Sequence, residues 1–467
     1  MAKIILINPN YYDDIFSHSK VRSAISRGTT PLGLACIAAS LIKDGHRVKI
    51  LDLNLSANPD GFLQKTIKDY KPDFAGITST TPVIKKAYHI SNLIKETDKN
   101  IFVIVGGPHP SALPQEVLKE SNIDCVVRGE GDFIFSSIAN GSFFPDLPNI
   151  SYKENGQIIS SRIQDKVIED LDQLPFPAYE LFDINKYSQP RISSRRAPLG
   201  YLETSRGCYG RCIFCNKNIH GYRMRMKSVG RVVDEMERML KLGFKEIHVI
   251  DDLFTADMNR AYAVCEEIIR RNLKFPWYPR GGVRVDRVNA KLLKIMKRAG
   301  CYRIPFGIES GSQRIIDIVG KNISLGRAQE AVSLAKQAGL ETECYFMLGL
   351  PKESEEDLKQ SIGFAIKLDP DYVKFAITIP LPGTKMFDDM AAFGQIKTRD
   401  WDKYNFSASP KEIYQHDNLS WEVIDKYYNI AHRAFYFRLK YLAKMFFKTL
   451  AKGTILSHLK AFLWTQW

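Results

Sequence analysis

Short apolar runs separated by amphipathic stretches organise the chain. In the first third, residues 3–7, 46–53, 74–78, 102–105 and 125–128 read as strands, while 32–43, 62–70 and 87–97 carry the three-to-four-residue apolar spacing of helices. Strand and helix in this alternation predict an α/β fold: an open, doubly wound, Rossmann-like parallel sheet with helices on both faces. Its ligand crevice is expected outside the carboxyl ends of the strands, at the loops 8–10, 78–81, 106–109 and 129–131.

From about 140 to 196 the pattern loosens into Pro- and Asp-rich text, a connector with a small hairpin expected at 151–160 around Asn155-Gly156. A second alternating series follows. Its strands are expected at 201–204, 246–250, 277–281, 303–308, 343–346 and 373–379, and its helices at 231–242, 261–271, 290–299, 327–337 and 355–368. Six such units predict a partial parallel (β/α)6 barrel, with its chemistry at the carboxyl ends of the strands. The last segment reads as helices, and the aromatic stripe at 435–447 is expected to face the core. The expected division is 1–140, 141–196, 197–410 and 411–467.

Composition narrows the class. At 467 residues the chain exceeds what one core usually serves. No run nears the ~18 apolar residues of a spanning helix, and residues 1–8 read as a buried strand, so a cytoplasmic protein is expected. Eight irregularly spaced cysteines suit a reducing compartment rather than a disulfide framework. Cys36, Cys125, Cys265, Cys301 and Cys344 have apolar neighbours and read as core residues. The net charge of +14 suits an anionic partner. From Trp421 onward eight Lys and Arg oppose only Glu422 and Asp425; a solvated basic face accounts for this, and peripheral contact with a membrane surface is the alternative.

The remaining cysteines, Cys208, Cys212 and Cys215, lie directly after the first barrel strand, where a βα loop belongs. Thiolates this close read as ligands of one metal centre. Three of them would leave one iron of a 4Fe-4S cluster open. A structural zinc site is the alternative, with His220 as fourth ligand. Asp251 and Asp252 end the second strand, where capping of the next helix is the plainer role. Glu309 ends the fourth, an inward position costly for an acid without a partner.

The C-x-x-x-C-x-x-C run, with Phe214 before its last cysteine, resembles that of the radical S-adenosylmethionine (SAM) enzymes. The resemblance continues through 247–252, 306–311, 346–351 and 379–384, each at a strand end. It implies a 4Fe-4S cluster on the three cysteines, with Phe214, Asp251, Asp252, Glu309, Ser310 and Leu348 around SAM. The segments 30–34, 106–110 and 128–131 resemble the cobalamin-binding domain of cobalamin-dependent radical SAM enzymes, which implies cobalamin contacts from Thr78, Ser79, Gly106, Gly107, His109, Gly129 and Glu130. The Asp-x-His-x-x-Gly element that supplies a lower histidine ligand in other cobalamin proteins is absent, since Asp44-Gly45-His46 has the wrong spacing. Axial ligation of cobalt, by His109 or otherwise, is therefore open.

The resemblance covers residues 1–410 and implies reductive SAM cleavage with modification of an unactivated carbon, foremost by methyl transfer through methylcobalamin. The substrate would be a small molecule or lipid, and the electron would come from an external donor of flavodoxin or ferredoxin type. Ring formation, ring contraction and oxygen insertion occur in the same family. A tRNA methylthiotransferase would carry three further cysteines early in the chain, where only Cys36 and Cys125 stand. A non-enzymatic cobalamin or iron-sulfur sensor binding nucleic acid would need a helix-turn-helix pattern, and none is recognisable.

Overall fold

The computed structural model describes residues 1–10, 28, 30–142, 144–162, 168–187, 189, 193–405, 409–451, 453 and 455–456. Five parallel strands, β1 (Lys3–Asn8), β2 (Arg47–Asp52), β3 (Phe74–Thr78), β4 (Phe102–Gly106) and β5 (Cys125–Val127), lie in the order β2-β1-β3-β4-β5. Ile4 to Ile7 of β1 are all fully buried, because helices cover both faces. Ile5 and Ile7 cluster with Leu63 and Ile67 of helix Pro59–Tyr70 and with Ile90 and Ile94 of helix Ile84–Thr97. Ile4 and Leu6 cluster with Leu34 and Ala38 of helix Leu32–Lys43 and with Phe135 and Ile138 of helix Ile134–Ala139. The chain reverses direction across the sheet between β1 and β3, so a crevice opens above their carboxyl ends.

The hairpin forms as β6 (Ile150–Glu154) and β7 (Gln157–Ser160), with Asn155 and Gly156 both left-handed at φ 49° and 78°. It is not a separate part of the connector. β6 pairs antiparallel with β5, and β7 extends the same sheet. The first sheet therefore runs beyond residue 140, because the hairpin covers the backbone edge that β5 would otherwise expose.

In the second half, β8 (Leu199–Leu202) leads into the two-residue strands β9 (Ser205–Arg206) and β10 (Arg225–Met226), which pair antiparallel. Then come β11 (Glu246–Val249), β12 (Trp277–Pro279), β13 (Arg303–Glu309), β14 (Glu341–Leu348) and β15 (Tyr372–Ile377). Parallel pairing gives β12-β11-β8 and β13-β14-β15. Bridges from Trp277 to Cys301 and from Val283 to Phe306 join the two into one curved wall. The helices between strands start on side-chain caps at Ser228, Asp257, Asn289, Ser324 and Ser354, which locates them close to their expected positions.

The C-terminal stripe splits in two. Helix Trp421–Tyr436 packs on β15, where the Tyr436 hydroxyl bonds both the N–H and the carbonyl of Val373. In helix Leu439–Ala451, Tyr441 is buried, but Leu439, Phe446 and Phe447 are 85%, 52% and 68% exposed. The expected core-facing stripe thus holds for Phe435, Tyr441 and Met445 and fails at Phe437, Leu439, Leu442, Phe446 and Phe447. Lys444 and Lys448 tie this helix to Asp371, which turns its apolar side outward. Residues 452, 454 and 457–467 of the basic tail lie outside the described residues. Among the described residues no helix is long and apolar enough to cross a membrane.

Candidate active site

Gly207 opens the cysteine loop. Its φ is 86°, and a Cβ there would lie 2.2 Å from the Arg223 carbonyl oxygen, so no side chain fits. The β9–β10 ladder closes the loop at its base, Arg206 opposite Arg225. Cys208, Cys212 and Cys215 are half-buried free thiols. A Cβ placed on Gly210 would stand 3.4 Å from Cys208 Sγ and 3.9 Å from Cys212 Sγ, so these two border one small space. A hydrogen bond from Cys215 pulls Cys212 below an ordinary thiol; burial opposes it and the Lys321 ammonium assists. The same bond pushes Cys215 up. Ile213 and Phe214 anchor the loop by packing, with Met347, on Ile315, Val319 and Leu350.

His220 is engaged elsewhere. Its Nδ1 lies 2.9 Å from Glu130 and its Nε2 3.6 Å from Glu203, which argues against its completing a zinc site. Among the described residues no three His, Cys, Asp or Glu side chains converge on a single ion. The thiolates of an iron-sulfur cluster bind separate irons and need no such convergence.

At the strand ends the expected SAM residues divide. Asp251 is 2% exposed and accepts from the Thr204 N–H (2.5 Å), Thr204 Oγ1 (2.5 Å) and Ser205 Oγ (2.7 Å), while burial raises its pKa. It fixes the chain entering the cysteine loop rather than facing a ligand. Asp252 is exposed and accepts from the Gly207 N–H at 3.1 Å. Neither caps the next helix, a role taken by Asp257. Glu309 sits at a bulge in β13 with φ 70°, a left-handed conformation that is strained for a side-chain-bearing residue, and it meets Lys321 Nζ at 2.5 Å. Ser310 is buried and bonded to Ser361 (3.1 Å) and to the Ser312 N–H (3.2 Å), which removes it from a ligand-facing position. Leu348 is also turned away: it lies fully buried in the main core, and strand alternation puts Met347 on the inward side, beside Phe214.

A cavity of about 450 Å³ lies between the sheet and the barrel. Its floor is apolar, with Leu6, Leu34, Ile37, Ile104, Val127 and Phe135. Thr78, Gly106, Gly107, Gly129 and Glu130 form its rim, and Glu203, Arg206, Lys217, His220 and Asp252 face them from the barrel. Gly107 has φ 109°, and a Cβ there would lie 2.5 Å from the Ser79 carbonyl oxygen, so these loops approach each other only on glycine. Ser79 does not line the cavity; its hydroxyl bonds the Thr80 carbonyl. His109 does not line it either. Its ring stands edge-on to Trp401 at 5.0 Å with Nδ1 3.2 Å from Thr81 Oγ1, and burial pushes its pKa down to about 4. The floor also carries Cys36, whose thiol is held protonated by burial.

Glu130 joins the two halves. Its carboxylate accepts from Arg225 at 2.7 and 2.9 Å, from the Ile168 N–H at 3.1 Å and faces His220. Burial alone would raise its pKa, yet His220, Arg225 and Arg206 together hold it at about 2. Beside it, Asp132 accepts from Arg206 at 2.8 and 3.1 Å, while Arg206 Nε reaches Glu203 at 2.7 Å. Sequence reasoning missed Arg206, Arg225, Asp132 and Lys321. The one available signal was that an inward Glu309 must have a partner; nothing local named it.

Residues 21–139 match the B12 binding domain and residues 202–365 the radical SAM superfamily. An uncharacterized methyltransferase of Pyrococcus horikoshii is 35% identical, over 96% of this chain and 95% of its own. A cytidylyl-2-hydroxyethylphosphonate methyltransferase of Streptomyces wedmorensis is 29% identical, over 82% of this chain and 80% of its own. The structure of TsrM, a radical SAM methyltransferase from Kitasatospora setae with cobalamin and a 4Fe-4S cluster bound, shares the fold with a TM-score of 0.68 at 19% identity, covering 84% of this chain and 75% of that one.

Proposed function

From the fact that the chain belongs to the cobalamin-dependent radical SAM enzymes, we propose that it transfers a methyl group to an unactivated carbon of a small-molecule substrate. The observation that carries this reading is the shared space: one cavity is bounded by the glycine loops of the sheet and by the residues around the cysteine loop. The side chains present fit both cofactors, with three free thiols on one loop and an apolar cradle rimmed by glycine. Cys208, Cys212 and Cys215 would hold the cluster. Asp252, Glu309 and Lys321 would meet SAM, and Thr78, Gly106, Gly107 and Gly129 the corrin. When bound, the cluster and SAM supply a 5′-deoxyadenosyl radical and cobalamin supplies the methyl group.

The chain's own residues orient and shield. The Lys321 ammonium, close enough to lower Cys212, suits the SAM carboxylate. Asp251 and Asp252 set the entry to the cysteine loop, and Glu130 with Asp132 fixes the sheet against it. The test is anaerobic turnover of the full chain, loaded with cluster and cobalamin, using methyl-labelled SAM and a low-potential one-electron reductant. Both 5′-deoxyadenosine and labelled cobalamin are expected. Absence of both overturns the reading, and 5′-deoxyadenosine without label transfer would point to ring formation or oxygen insertion instead.

Two surfaces complete the proposal. The basic rim of the cysteine loop, where Arg211 stacks over Tyr222 and Arg287 over Tyr209, suits an acidic one-electron donor. The outward apolar side of helix Leu439–Ala451 suits peripheral contact with an anionic lipid surface.

A further inference from the structure

The lumen of the barrel is polar and aromatic rather than aliphatic. At its floor, Glu246 accepts from the N–H groups of Arg195 and Arg196 and from the hydroxyl of Tyr302, and lies 2.6 Å from His248 Nε2. Above them the rings of His248, Tyr278 and Tyr201 follow one another, with centroids 4.2 Å apart for the first pair and 6.2 Å for His248 and Tyr201. Cations enter this wall from strands β13 and β15 and from the segments beside them, and nearly all have a carboxylate. Arg195 and Arg303 meet Glu341 at 2.8 and 3.1 Å, Lys374 meets Glu343 at 3.1 Å, and Lys321 meets Glu309.

Arg280 is the exception. It follows β12 at the carboxyl end of the wall, where its N–H bonds the Val249 carbonyl. Its guanidinium forms no ion pair among the described residues. Among the described residues it reaches only the Tyr278 hydroxyl at 3.3 Å, and it lies 5.8 Å from the centre of the Tyr201 ring. It is half-buried, so it has lost part of its hydration, and the carboxylate that acts on it from a distance, Glu343, is already paired with Lys374 and Arg303. A guanidinium is a planar fork matched to two oxygens of a carboxylate or phosphate, and aromatic faces hold it without neutralising it.

We propose that Arg280 anchors the substrate through an oxyanion, so that the molecule modified is a small organic anion held in the lumen between Tyr201, Tyr278 and Arg280. This rests on the methyl-transfer reading proposed above. His248 lies fully buried beneath this position. Its Nε2–H faces Glu246, burial lowers its pKa to about 4, and its Nδ1 has no partner among the described residues. A neutral imidazole with a bare Nδ1 accepts a hydrogen bond and offers no positive charge. The floor therefore supplies no second positive charge to compete with Arg280 for an anion.

The test is arginine-specific labelling of the full wild-type chain with phenylglyoxal, followed site by site, with inorganic phosphate in one arm, acetate in a second and chloride as control. Labelling at Arg280 should slow about tenfold under the anion that fits, as expected for charge-assisted bonds to a guanidinium. Protection by phosphate alone assigns a phosphorylated or phosphonate substrate, and protection by acetate alone a carboxylate. No protection by either overturns the proposal. As a second measurement, Arg280→Gln should remove the rise in melting temperature produced by the protecting anion, with Arg280→Lys retaining part of it; an unchanged rise in Arg280→Gln also overturns it. Neither measurement uses SAM or reductant, so a negative result here leaves the methyl-transfer reading standing, and a failure of SAM cleavage leaves the anion site standing.

Discussion

Replacing Glu130 by Gln removes the charge at the centre of the joint between sheet and barrel. In the native protein that carboxylate is 5% exposed and takes two bonds from Arg225, one from the Ile168 N–H and one from His220. Its pKa is held at about 2 against an ordinary 4.5. Lowering a carboxyl pKa by one corresponds to about 1.4 kcal/mol, so ionised Glu130 contributes on the order of 3 kcal/mol at neutral pH. Removing one partner of a buried pair costs a similar ~3–5 kcal/mol. A carboxyl whose folded pKa is lowered stabilises above its unfolded value, and this stabilisation disappears as pH falls from about 4.5 toward 2. Calorimetry of the full chain reads the effect. At about 2–4 °C per kcal/mol for a domain of this size, Glu130→Gln should lower the first transition by about 6–12 °C at pH 7. The two proteins should converge as the pH approaches 2. A fall below about 2 °C at pH 7, or an equal fall at both ends of the range, would refute the reasoning.

Cys212→Ala should leave reconstituted protein short of cluster iron and unable to form 5′-deoxyadenosine; full iron with SAM cleavage would contradict the assignment. Lys321→Gln, compared at equal cluster content, should raise the KM for SAM about tenfold, and an unchanged KM would remove Lys321 from the SAM site. Glu353 is fully buried, and burial pushes its pKa up to about 8 despite bonds from the Gly349 and Leu350 N–H groups. A raised folded pKa favours the fold below the unfolded value and loses that advantage as pH rises through 8. The melting temperature of the wild type should therefore fall more steeply between pH 5 and 8 than that of Glu353→Gln, and parallel curves would show an ionised Glu353. Phe446→Ser with Phe447→Ser should weaken partitioning onto anionic vesicles at least tenfold, since a buried phenylalanine is worth about 2 kcal/mol; unchanged partitioning would place the membrane contact elsewhere.

What was legible in the sequence is what depends on short range. Helices Leu32–Lys43 and Glu355–Leu368 and strand Phe74–Thr78 lie where apolar spacing puts them. The cysteine spacing and the glycine loops needed only a few residues of context. Contacts set by tertiary approach were not legible: Arg206 meets Asp132 across 74 residues and Arg225 meets Glu130 across 95. Leu348 failed for a narrower reason. β14 runs two residues past its expected end, and on a strand each position faces opposite to the next, so Met347 rather than Leu348 takes the inward side. His109 failed because its ring turns into a pocket made by Trp401, 292 residues away, which no local pattern signals.

The interdomain contacts bear on how the two cofactor sites are kept in register. The two-residue ladder that closes the cysteine loop, Arg206 with Arg225, is the same pair that Asp132 and Glu130 grip from the sheet. Those acids follow Gly129, on the rim of the cavity. From the opposite side, Asp251 holds Thr204 and Ser205, and Asp252 holds the N–H of Gly207. The start of the cysteine loop is therefore fixed on one side by the barrel and on the other by the loop that rims the cavity. Had the acids been spread over the interface, the sheet could tilt while the thiols kept their place. Concentrated here, any displacement of the Gly129 loop must either break buried charge pairs or move the base of the cysteine loop with it, and the pairs are too costly to break at neutral pH. The joint thus makes the distance between the apolar cavity and the thiols a property of one ion network rather than of two separately folded domains.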